Sequence, residues 1–202
     1  MRNLVITTLF LLSFEAQAVL LVNGGAEDGN YWDLVAWTRT PTYAPVYSTN
    51  EQPQGSGIVR PFEGHSFFTF AADWYPPLDY PTDLPYPGPI VLTQTGSRGL
   101  SATALSLTGW FQTEWGDTAE VALSILDNQG GVIESVTTGW ISTLNPTWEA
   151  FPELQVAVPA GATMWMLELR GDLVFGDFVN VHFDDIRLAQ VPEPGTLGIL
   201  GS

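Results

Sequence analysis

The chain has 202 residues, 12% of them aromatic, with no cysteine, and its six Lys and Arg residues face 22 carboxylates for a formal net charge of −16. Binding a polyphosphate requires clustered cations, so arginines scattered singly at Arg2, Arg39, Arg60, Arg98, Arg170 and Arg187 exclude a nucleic-acid partner. Such acidity favours solubility and divalent cations, and a chain without cysteine has no disulfide to brace it.

Met1-Arg2-Asn3 supplies a positive start, Leu4 to Phe14 an apolar run, and Ala16-Gln17-Ala18 a small-x-small cleavage pattern. Together they predict a secretory signal peptide over 1–18 and a mature chain beginning at Val19. The next stretch, 19–190, is about 170 residues long, a length that suits one domain.

Short alternating runs bounded by Gly, Pro, Asn and Asp recur along it, and helix signals are scarce. Strands are predicted over 19–22, 34–38, 65–71, 90–95, 105–113, 119–127, 132–136, 154–158, 164–169 and 178–188. In the clearest hairpin, Val121, Leu123 and Ile125 share one face and Glu120, Ala122 and Ser124 the other, with Asp127-Asn128-Gln129-Gly130-Gly131 as the turn. About ten strands in one domain predict an all-β fold, a two-sheet antiparallel β-sandwich of the jelly-roll or Greek-key kind. Strand tryptophans in a sandwich are usually core, which is the expectation for Trp110, Trp140, Trp148 and Trp165.

Asp73 to Pro89 holds six prolines and four aromatics in 17 residues. Prolines reduce the entropy lost on fixing a loop, and aromatic faces suit the C–H faces of sugar rings, so Trp74, Tyr75, Tyr80 and Tyr86 are candidate ligand-binding residues. The other reading of such a segment is a cover that folds over an open sheet edge and buries its own rings.

Catalytic motifs are missing. There is no cysteine and no G-x-S-x-G elbow, and His65 and His182 are the only histidines. Asp184 and Asp185, being adjacent on a strand, point to opposite faces and do not form a glycosidase pair. The chain is therefore expected not to be an enzyme.

Two longer patterns carry a family resemblance. Asn23-Gly24-Gly25-Ala26-Glu27-Asp28-Gly29, followed by Trp32 and Trp37, stands near the start, and Val181-His182-Phe183-Asp184-Asp185-Ile186-Arg187-Leu188 near the end. With Thr108-Gly109-Trp110-Phe111, Thr147-Trp148 and Val158 to Thr163 in order between them, the chain over 19–189 resembles the galactose-binding-like jelly rolls of many carbohydrate-binding modules. Ala26 departs from the pattern, standing where that family usually has an aromatic. The resemblance implies a structural calcium held by Glu27 and Asp184, with backbone carbonyls from Gly25 and the Glu63-Gly64-His65 region.

In that fold the first and last strands are neighbours, so a shared cation would close a very long loop. Period-two alternation places Asp184 on the side of Ile186 and Leu188, where a buried carboxylate without a lysine needs such a partner. The alternative is a tight turn at Asn23-Gly24-Gly25 and a solvated edge at Asp184-Asp185.

At the end, Val191-Pro192-Glu193-Pro194-Gly195-Thr196-Leu197 resembles the start of a PEP-CTERM sorting signal, which in its family continues into a transmembrane helix and a basic cluster processed by an exosortase-type enzyme. Eight residues follow Pro194, against roughly 20 for a spanning helix, so residues 191–202 read as the front of such a tail. The resemblances imply an exported, non-catalytic module of the cell envelope surface or extracellular matrix. Its expected activity is polysaccharide binding; the alternative is a structural or adhesive matrix component with no specific glycan site.

Overall fold

A computed structural model describes residues 20–28, 34–40, 47–54, 57–70, 89–97, 103–143, 146–174 and 179–191. Among these residues there is no helix, and the strands are β1 (Thr38–Thr40), β2 (Tyr47–Thr49), β3 (Gln52–Gln54), β4 (Gly57–Val59), β5 (Phe67–Thr69), β6 (Ile90–Ser97), β7 (Ala104–Thr113), β8 (Thr118–Leu126), β9 (Val132–Thr137), β10 (Glu149–Ala150), β11 (Leu154–Ala157), β12 (Met164–Asp172) and β13 (Val181–Val191). They form a two-sheet antiparallel sandwich, as the alternation predicts. One sheet runs in the order β1-β6-β12-β8-β9; the other runs β10-β7-β13-β5-β2, with β11 also on β7. β3 and β4 pair as a separate small ribbon.

The inward faces follow the period of two. Val121, Leu123 and Ile125 on β8 meet Trp165, Leu167 and Leu169 of β12 in one sheet, and Leu105, Leu107 and Phe111 of β7 meet Val181, Phe183, Ile186 and Leu188 of β13 in the other. Burying a large aliphatic or aromatic side chain contributes about 1.5–3 kcal/mol, so this contiguous core dominates the stability. The β8–β9 turn forms as expected: Asp127 Oδ1 accepts from the N–H groups of Gln129 and Gly131, both at 2.8 Å.

Three expectations shift. Residues 20–24 run beside β13 through Leu20 N–H to Leu188 O and Ile186 N–H to Gly24 O, but they form no strand because the chain turns at Asn23, whose φ is 54°. Likewise 34–37 is a turn closed by Trp37 N–H to Leu34 O, and the strand starts only at Thr38. The short strands β2, β3, β4 and β10 have no readable alternation. The signal peptide, the sorting tail and Trp74, Tyr75, Tyr80 and Tyr86 lie outside the described residues.

Candidate functional site

The last strand is irregular where it matters most. β13 pairs with β7 in one register up to Asp184 and in a shifted register from Arg187, and Asp185 takes φ 48° at the bulge. The extra residue reverses the alternation: Ile186 and Leu188 enter the core, whereas Asp184 shares the outer face of the sheet with His182. Simple period-two reading, which places Asp184 with Ile186, fails for that reason.

Asp184 is nevertheless fully buried, because the loop between β4 and β5 lies over it. Its Oδ2 accepts from the N–H groups of Phe62 at 2.7 Å and Glu63 at 3.1 Å, and its Oδ1 from Asp185 N–H at 2.7 Å. Burial pushes the carboxyl up to about 6, against the pull of those three N–H groups. The nearest arginine on the strand is engaged elsewhere: Arg187 bridges to Asp185 at 2.6 Å and Glu63 at 2.8 Å.

The same loop holds the second acid. Glu27 Oε1 accepts from His65 N–H at 2.8 Å and Ser66 N–H at 3.0 Å. Gly64 between them has φ 70°, and a Cβ there would overlap the Glu27 carboxylate. Gly25 completes the arrangement, since the position its absent Cβ would take lies 3.7 Å from Asp184 Oδ1 and 4.0 Å from Glu27 Oε1. Gly25, Glu27 and Asp184, far apart in sequence, are thus brought around one small cradle. The 62–66 loop turns N–H groups toward it rather than carbonyls. The donor set is oxygen only, which suits a hard cation such as calcium. Among the described residues no three His, Asp or Glu side chains cluster as metal ligands.

Beside the cradle, the outer face of the β10-β7-β13-β5-β2 sheet has an unusual character. Across it, Thr69, His182 and Gln112 stand in register, followed by Trp148 just before β10; the next row is Phe67, Asp184, Trp110 and Ala150. Thr69 and His182 are fully buried and Gln112 is 3% exposed, although they face away from the sandwich core. Burial holds the His182 imidazole down to about 3, so it is neutral at physiological pH.

Aromatic rings flank this polar floor. Phe67 meets the His182 ring edge-on at 5.5 Å and the Trp148 ring at 5.7 Å, while Phe62 stacks on Trp110 at 3.8 Å. Trp148 Nε1 donates to Arg60 O at 2.7 Å, fixing its indole over the β4–β5 loop. Trp110 and Trp148 are therefore half-buried on the outer face, and Trp140 is 45% exposed, contrary to the expectation that strand tryptophans are core; Trp165, at 2%, is the one that obeys it. The spacing of Trp110 and Gln112 opposite core residue Phe111 is the signal that distinguishes them.

No family model and no curated protein sequence matches the chain. Solved structures do. The enzymatically active domain of tailspike protein 4 of bacteriophage CBA120 superposes with a TM-score of 0.60 at 17% identity over 86% of this chain, which spans 21% of the tailspike chain. TmCBM61, solved with β-1,4-galactotriose, gives a TM-score of 0.52 at 18% identity, covering 86% of this chain and 99% of that module. The arabinose-bound MgGH51 α-L-arabinofuranosidase gives 0.54 at 13% identity, with 85% of this chain on 26% of that one. At these identities the likeness establishes the fold: the β-sandwich found in carbohydrate-binding modules.

Proposed function

We propose that the protein is a non-catalytic module that binds polysaccharide on the outer face of the β10-β7-β13-β5-β2 sheet. The observation that carries this reading is the set of partly exposed rings Phe62, Trp110 and Trp148, which lie over a buried layer of Thr69, His182, Gln112 and Phe67 on the outer face of the sheet. Aromatic walls with a few fixed polar groups are the usual make-up of a small-molecule or glycan site. Fold likeness to TmCBM61 supports the same class of ligand by analogy. Hydrolysis by the two buried acids of this sheet is disfavoured by their spacing. Asp184 stands opposite Trp110, and Glu114, just past the end of β7, lies four residues beyond Trp110, roughly 13 Å at the rise of a strand and beyond the usual separation of paired glycosidase carboxylates.

Calcium is proposed as a structural partner, held by Glu27 and Asp184 with a backbone oxygen at Gly25, where it would supply the positive charge that the buried Asp184 lacks. Export to the cell surface or matrix, with exosortase-type processing of the 191–202 tail, is proposed from the terminal signals; no helix among the described residues is long and apolar enough to cross a membrane. A structural or adhesive matrix role without a glycan site is the second reading, favoured by the burial of the floor. Affinity electrophoresis of the full chain in gels containing neutral polysaccharides separates the two. Retardation that Trp110→Ala removes supports binding on this face; unretarded migration in every gel supports the matrix role.

A further inference from the structure

The most exposed aromatic among the described residues has no structural use for its position. Trp115 is 61% exposed and sits in the turn that passes the chain from β7 to β8. Asp117 N–H to Glu114 O at 3.0 Å closes this turn, and Trp115 and Gly116 take φ 58° and 86°. Two consecutive left-handed residues define a type I′ turn, whose first position favours Asn, Asp or Gly. An indole there is held in a disfavoured conformation, and its exposure returns little burial in exchange.

The turn is also braced. Asp117 is fully buried, its Oδ1 accepting from Val174 N–H at 3.0 Å and its Oδ2 from Asn180 N–H at 2.7 Å. Glu114 N–H donates to Asn180 O at 3.0 Å, and Thr113 and Thr143 bond to each other through side chains and backbone. The first of these bonds brings Val174, itself 61% exposed, beside the turn. A strained, rigidly mounted and exposed ring next to an exposed valine is a pre-organised apolar platform.

Its location indicates the occupant. Trp110 and Gln112 alternate along the outer face of β7, which ends at Thr113, and Trp115 stands in the turn immediately beyond that end of the strand. The acids on either side of the ring and the net charge of −16 disfavour an anionic lipid or an acidic polymer. We infer that the Trp115–Gly116 turn is a terminal subsite of the carbohydrate face, stacking the C–H face of an uncharged sugar ring in a chain that runs along β7. This rests on the polysaccharide reading above.

The test is calorimetric titration of the full chain, wild type and Trp115→Asn, with xylan and β-1,4-galactan and with their trisaccharides. Asn suits the left-handed position, so the variant is expected to melt higher than wild type while binding the polymers roughly five- to tenfold more weakly, with a smaller loss for trisaccharides. Wild-type affinity for the polymers in Trp115→Asn overturns the subsite and leaves the polysaccharide reading standing. No binding by the wild type to either polymer overturns both. Cosedimentation with phosphatidylcholine vesicles that Trp115→Asn abolishes, alongside unchanged glycan affinity, assigns the ring to a bilayer and also overturns the subsite.

Discussion

Asp184 is a fully buried acid whose compensation comes from three backbone N–H groups. Its raised value gives a definite sign. With a folded-state pKa of about 6 against an ordinary 3.8, the folded protein binds more protons than the unfolded chain between those values, so this group costs stability as pH rises through them. The cost reaches about 3 kcal/mol above pH 6. His182, held down to about 3, acts in the opposite sense, losing stability as pH falls below its unfolded value. Comparing Asp184→Asn with wild type cancels the histidine. In chelator the variant is expected to gain on wild type as pH rises from about 4 to 7, by chemical denaturation; the proposed calcium site predicts that the order inverts in calcium, because a cation bound there would select the carboxylate. A difference that stays flat with pH in chelator would show that Asp184 titrates normally.

Gly64 presents the matching backbone case. Its φ of 70° and the Glu27 carboxylate lying where a Cβ would go leave no room for alanine. Gly64→Ala is expected to destabilise the protein by about 2 kcal/mol or more, since left-handed strain and displacement of a hydrogen-bonded acid add. Equal denaturation midpoints would show that the loop yields freely.

At the level of elements, the regular strands were legible and the irregularities were not. β12 alternates cleanly in burial, and although β8 is buried on both faces, the core faces of both follow from Val121, Leu123, Ile125 and Leu167, Leu169. The bulge at Asp185 has no such marker, because an aspartate in the left-handed region reads like any strand aspartate, and it alone decides which face Asp184 occupies. The two acids and Gly25 were recognisable as a pair of distant motifs, whereas the loop that caps them with N–H groups is a turn sequence without a chemical signature. Trp110 and Trp148 read as core in the sequence, whereas both are half-buried on the outer face, because composition gives the ring and not its face. By contrast, the Asp127 turn is fully encoded: its carboxylate takes two backbone N–H groups that would otherwise be unpaired in the turn. Asp127→Ala is expected to cost about 1 kcal/mol, read by urea denaturation, and no loss would mean the β8–β9 hairpin is held by its strands alone.

For the whole molecule, the acidic chain without cysteine joins its first and last described segments noncovalently. Residues 20–27 reach β13 through Leu20, Gly24 and the Gly25–Glu27–Asp184 cradle, a contact between parts of the chain about 160 residues apart. Above it, the same strand carries His182 into the floor of the proposed glycan face, so the cradle and the face share one rigid element. The net charge of −16 bears on ligand choice as well, favouring neutral polymers over uronates. The central claim is tested most directly by calorimetric titration of the full chain with neutral polysaccharides, xylan and β-1,4-galactan among them, for wild type and Trp148→Ala in calcium. Binding by the wild type that Trp148→Ala loses, with its circular dichroism unchanged, is the result expected; wild-type binding that survives Trp148→Ala and Trp110→Ala alike, or no binding at all, would contradict the assignment of this face.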